Sequence, residues 1–173
     1  MMRAFVLGVA AVLAIASASA GQDRPRCAVA QPSSLVVYGT GLGPTSFTLA
    51  ALREMPALEV TATGHHDEQV VYTGVLLRSV LSAAAVTPSD SLRGKALLQY
   101  LVAEARDGYR AALTLAEADT SYRSDRVIVA YEANGAPLNE EVGPLQLIVE
   151  ADRRHRRWVR QLDCVRVARD TIK

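Results

Sequence analysis

Between Val127 and Glu150 the chain reads VIVAYEANGAPLNEEVGPLQLIVE, two apolar runs separated by two turn signals. Val127 to Tyr131 is rich in β-branched residues and reads as a buried strand. Asn134-Gly135 supplies the positive φ values that a tight reversal needs, and Pro137 sets the exit angle. Gly143-Pro144 makes a second turn, after which Leu145 to Val149 reads as another apolar strand. The residues alone therefore give two strands joined by a structured loop.

Around this stretch the rest of the chain reads as one domain. Its 173 residues carry a net charge of +1, which argues against a nucleic-acid partner and for a single soluble unit. Half the residues are hydrophobic, but the first twenty inflate that figure. Arg3, an apolar run from Ala4 to Ala16 and the ending Ser17-Ala18-Ser19-Ala20 read as a secretory signal peptide over 1–20. The run is shorter than the roughly eighteen residues a membrane span needs. No span is expected after cleavage, and the protein is expected in the periplasm or secreted. Residues 21–34 form a polar N-terminal leader, and 35–173 form the domain. Cys27 and Cys164 are the only cysteines, and in an oxidising compartment such a pair is most simply a disulfide.

The secondary structure is mixed. Leu35 to Tyr38 reads as a strand, and Gly39 to Pro44 as a turn that lacks the Lys-Ser/Thr of a phosphate loop. Phe47 to Arg53 reads as a helical turn stopped by Pro56, and Leu58 to Thr63 as a strand. A helix is expected from an N-cap at Thr73, with Val75, Leu76, Val80, Leu81 and Ala84 on one face. Ala96 to Ala103 and Tyr109 to Leu115 read as strands about an Asp107-Gly108 turn, and Trp158 to Val167 as the last strand. Many strands with two or three short helices make an α+β fold in one compact domain, with mixed sheets.

The wording of the Val127–Glu150 run resembles the sulfite oxidase-type oxidoreductase molybdopterin-binding domain, whose members carry an AYE-x-NG-x-PL run followed by a GxPxR turn. Ala130, Tyr131, Glu132, Asn134, Gly135, Pro137, Leu138, Gly143 and Pro144 fit it. Tyr72-Thr73-Gly74-Val75 resembles the family's step into a helix, Asp107-Gly108-Tyr109 its DGY strand, and His155 to Trp158 the H-x-KW lead into its final strand. The resemblance implies a molybdopterin cofactor, with His155 and Arg157 on the side of the pterin phosphate and Tyr109 in the place of a substrate-pocket tyrosine.

Three departures accompany the resemblance. The family's metal-binding cysteine, a soft thiolate suited to a high-valent metal, is expected within Thr61 to His66, where no cysteine stands. The histidine and arginine that flank its glycine-proline turn have Glu141 and Gln146 as counterparts here. A carboxylate repels a phosphate, and glutamine lacks the cationic fork. The lone Arg3, in place of a twin-arginine signal, implies export of an unfolded chain, which cannot carry a bound pterin.

Two further clusters bear on function. His65-His66-Asp67-Glu68 is the densest group of potential metal ligands, with His65 and His66 as candidates; the other reading is a solvated loop. Arg153, Arg154, His155, Arg156, Arg157 and Arg160 form a basic patch that suits an anionic small molecule or an acidic partner surface, or else a solvated turn. No Ser-His-Asp, Cys-His or paired-carboxylate arrangement supports hydrolase chemistry. The expectation is a cofactor-free exported module that binds an anionic ligand or a periplasmic protein. The alternatives are an active molybdopterin-dependent oxidoreductase with unusual ligation and an exported metal-binding protein.

Overall fold

A computed structural model describes Cys27 and residues 33–39, 41–64, 67–86 and 92–169. The signal-peptide reading and the candidate metal ligands His65 and His66 lie outside the described residues. Among the described residues ten strands form two five-stranded sheets. The first sheet has the order β2-β1-β10-β5-β6, built from β1 (Ser34–Gly39), β2 (Leu42–Thr48), β5 (Gln99–Ala105), β6 (Arg110–Thr114) and β10 (Leu162–Arg169). The second sheet runs β3 (Ala57–Thr63), β4 (Gln69–Leu76) and β7 (Val127–Ala133). Both β8 (Ala136–Pro137) and β9 (Gln146–Val149) pair with β7. All of these pairings are antiparallel except β1 with β10, which aligns Val36 with Cys164. Cys27 is bonded to Cys164 with a Cα–Cα separation of 6.0 Å, within the usual span for a disulfide.

The Val127–Glu150 run occupies the centre of the second sheet. Every residue from Val127 to Tyr131 is buried, as expected of a strand covered on both faces. Asn134 (φ 51°) and Gly135 (φ 76°) make the two-residue reversal between β7 and β8, aligning Ala133 with Ala136. By contrast β6, at an edge of the first sheet, alternates buried Ala111 and Leu113 with exposed neighbours, the period-two pattern of a half-solvated strand.

Local structure departs from the sequence-based expectations at four places. Thr73 caps no helix: it lies within β4, aligned with Glu59 on one side and Glu132 on the other. Val70, Tyr72 and Gly74 are buried in alternation there, so β-branched packing between two strands overrides the helical spacing that begins at Val75. Gly74 is needed in β4, because a Cβ there would come within 2.3 Å of the Val129 carbonyl oxygen. Helix α2 (Leu77–Ala83) starts later, burying Leu77, Val80 and Leu81. Phe47 belongs to β2, and helix α1 (Leu49–Arg53) begins after Thr48, whose Oγ1 accepts from the Ala51 amide at 3.1 Å. Residues 94–98 form a 3-10 turn before β5. Trp158 likewise follows a 3-10 turn (His155–Arg157), and β10 begins only at Leu162, after Gln161 takes φ 44°. Among the described residues no helix is long and apolar enough to cross a membrane.

Candidate functional site

A cleft of about 690 Å³ opens where three connections meet. The first wall is the β3–β4 connection, with Thr63, Gly64 and Asp67. The Gly64 amide donates to the Glu68 carbonyl at 2.6 Å, closing that loop, and Asp67 sits at φ 62°. The second wall is the tip of the β5–β6 hairpin. Here the Gly108 amide donates to the Ala105 carbonyl at 2.9 Å, and Asp107 Oδ1 accepts from the Tyr109 amide at 2.8 Å. Asp107-Gly108 is thus the turn expected from sequence.

The third wall is the segment 153–160. It is tied to the hairpin at two points: the Arg106 amide donates to the Gln161 carbonyl at 3.0 Å, and the Tyr109 hydroxyl donates to the Arg156 carbonyl. Trp158 backs this wall. Its indole N–H donates to the Val149 carbonyl at 3.0 Å, and its ring meets Tyr72 edge-on at 5.6 Å and His155 at 4.1 Å. These contacts anchor the segment to β9 and β4, and they explain why Trp158 is not part of β10. Burial raises the Tyr72 hydroxyl pKa, helped by the Glu68 carboxylate and opposed by Arg160.

The candidate residues divide between cleft and support. Tyr109 and His155 line the cleft together with Arg153, Arg154, Arg156 and Arg160. Arg157 does not line it. Its guanidinium binds Asp152 through Nε at 2.9 Å and Nη2 at 2.6 Å, and Glu117 through Nη1 at 2.7 Å. Hydrogen bonds to Asp152 and then Glu117 raise the Arg157 pKa well above its ordinary value. For Glu117, burial opposes ionisation, but hydrogen bonds from Arg157 and from Thr114 outweigh it and hold the carboxyl below its usual range.

Glu117 had no place among the residues read from sequence, while Asp107 stood there only as a turn residue. The capping box Thr114-x-x-Glu117, present in the structure, was a legible signal for Glu117. Asp67 stood within the candidate metal-ligand cluster, but nothing signalled that it and Asp107 share a cleft with the arginine segment, which arises only from the meeting of the sheets. Glu141 is exposed and pairs with Arg160 at 3.1 Å, while Gln146 is buried on β9. Among the described residues the one group of three potential metal ligands is Cys27, Glu104 and Cys164, and its two sulfurs are bonded to each other.

The sequence matches the family model for the oxidoreductase molybdopterin binding domain over residues 25–172. The chain belongs to the oxidoreductase molybdopterin binding domain family. The resemblance drawn from the Val127–Glu150 run and the α+β architecture of mixed sheets are thereby shown. No protein of curated function matches the sequence. Among solved structures, the sulfane dehydrogenase SoxCD from Paracoccus pantotrophus shares the fold with a TM-score of 0.60 and 21% identity over 79% of this chain. The present chain spans 38% of that one.

The residues present do not fit a molybdenum centre closed by a protein thiolate in this family's manner. Both cysteines of the chain are joined in the disulfide, with Cys164 fully buried on β10. Thr61 to Gly64, the described part of the segment where the thiolate is expected, offers hydroxyl, methyl and backbone groups, none of them a soft donor. Arg157, one of the two candidate phosphate-side residues, is already engaged by two carboxylates.

Proposed function

We propose that this protein is an exported, cofactor-free member of the oxidoreductase molybdopterin binding domain family that binds an anionic ligand in the cleft at 153–160. One observation carries the reading. Arg153, Arg154 and Arg156 line a cleft of ligand size, yet none pairs with a carboxylate among the described residues. Clefts of several hundred Å³ bury small organic molecules, and guanidinium groups match carboxylate and phosphate geometry. The disulfide supports an oxidising compartment, in keeping with the apolar N-terminal run read as a signal peptide. A periplasmic protein presenting an acidic segment would use the same arginines.

Trp158, the chain's single tryptophan, lines the cleft and so reports on its contents. Titration with inorganic phosphate is expected to change Trp158 fluorescence saturably, and the response is expected to weaken as salt rises. No response at low salt would overturn the anion-binding reading. Elemental analysis of protein purified from the periplasm is expected to find no stoichiometric molybdenum. Family membership supports the rival reading of an active molybdopterin-dependent oxidoreductase, and molybdenum near one equivalent per chain would establish it. Stoichiometric zinc or copper would instead favour a metal-binding protein built on His65 and His66.

A further inference from the structure

The cleft is not lined by cations alone. Asp67 stands on the β3–β4 wall and Asp107 on the hairpin wall, each facing the same space as Arg153, Arg154 and Arg156. Opposite charges sharing a cleft attract by about 1 kcal/mol at contact even in water, so free side chains on one surface would tend to pair. Here none of these three arginines pairs with either aspartate. The aspartates and the arginines stand on different walls. Asp107 is held by its turn through the bond from the Tyr109 amide, and the loop bearing Asp67 is closed by the Gly64 to Glu68 bond. The arginine segment is fixed by Trp158 on Val149 and by the Tyr109 hydroxyl on Arg156.

We infer that the cleft selects a small dipolar ligand, one bearing an anionic group and an ammonium group on the same molecule. This inference rests on the anion-binding reading above and names its ligand class. The anionic group lies against Arg153, Arg154 and Arg156, which pair with no carboxylate among the described residues. Arg160 contributes less, because Glu141 already neutralises it at 3.1 Å. The ammonium group lies against Asp67 and Asp107. A simple anion of the same size gains only the arginine contacts and meets two carboxylates that repel it. The arrangement therefore rewards the second charge and penalises its absence.

The test compares two probes that differ only in the ammonium group, taurine and ethanesulfonate, by Trp158 fluorescence and calorimetry at pH 7 and fixed ionic strength. Taurine is expected to bind about tenfold more tightly, the sum of two exposed charge contacts. This preference runs against overall charge, since ethanesulfonate is the net anion of the two. Asp67→Asn and Asp107→Asn are expected to remove the preference together. Both variants retain the local fold, because asparagine tolerates the positive φ at 67 and keeps the Oδ1 acceptor at 107. Equal binding of the two probes overturns the dipolar selection and leaves the anion site standing. Binding of neither probe overturns both. A taurine preference that survives the double variant overturns the assignment to Asp67 and Asp107.

Discussion

Arg156 and Arg157 are neighbours in sequence with opposite circumstances. Arg157 is held by Asp152 and Glu117 in a half-buried network that joins the 153–160 segment to the 3-10 turn Leu115–Ala118. Arg156 is exposed and pairs with no carboxylate among the described residues; what its residue contributes to the scaffold is the backbone carbonyl that accepts from Tyr109. A run of like charges is thus two things in one stretch of chain. One arginine builds the wall, and its neighbours face the space the wall encloses. Charge counted along the sequence does not separate these roles, because the carboxylates that distinguish them lie 40 residues upstream, at Glu117, and five upstream, at Asp152.

The difference can be broken from either side. Replacing the built-in member has the largest effect: Arg157→Ala leaves the partly buried Asp152 without its two-point cation and Glu117 with Arg123 alone, at 3.3 Å. It is expected to lower unfolding stability by about 2 kcal/mol, measured by urea denaturation with an unchanged slope. A loss below about 0.5 kcal/mol would show the network to be a surface decoration. Acid gives a second, smaller loss. Glu117 and Glu150 both have folded-state pKa values below the ordinary range. For a depressed carboxyl, the stabilisation is complete above the unfolded value near 4.3 and is lost as pH falls through the folded one. Stability is therefore expected to fall from about pH 4.5 downward. In Arg157→Ala the Glu117 share of that slope shrinks, because only the Thr114 hydrogen bonds still lower it, while the share from Glu150 and Arg126 persists.

Tyr109→Phe removes the hydroxyl that joins the hairpin to the arginine segment. It is expected to cost about 1 kcal/mol or less and to quicken amide exchange at 107–109, read by deuterium uptake. The smallest stability effect belongs to the cleft-facing side. Changing Arg153, Arg154 and Arg156 together to alanine is expected to shift stability by no more than about 0.5 kcal/mol, while the phosphate response of Trp158 falls at least about tenfold. If stability drops as far as it does for Arg157→Ala, the two kinds of arginine are not distinct.

The fold was legible where local chemistry and tertiary context agree. Asn134-Gly135 makes its turn, and Val127 to Tyr131 is the buried centre of its sheet, because two positive φ values and a run of β-branched residues leave few other solutions. Where an apolar spacing serves two elements, local reading fails. Val75 and Leu76 suit a helix face and a strand end alike, and only the partners Val129 and Ile128 on β7 decide between them. The start of β10 escaped for a related reason: Trp158 is apolar and strand-like by type, yet its indole is claimed by Val149. For the site, the arginine segment and Tyr109 stood out by type. Their separation into wall and lining did not, nor did the meeting of Asp67 and Asp107 with them in one cleft, since both depend on three connections converging from two sheets.

One arrangement in the first sheet has consequences for how the molecule is assembled. The last strand among the described residues, β10, lies in the middle, between β1 and β5. A chain delivered from its N-terminus can form the β1–β2 and β5–β6 hairpins early, but each keeps a bare edge until residues 162–169 arrive. The partner of Cys27 arrives in the same stretch. Pairings of such long sequence separation form slowly, and unpaired edges invite association with other chains. The domain is thus an arch whose keystone is made last. Removing β10 would leave two half-sheets with facing open edges, so C-terminal truncation is a direct route from folded protein to aggregate.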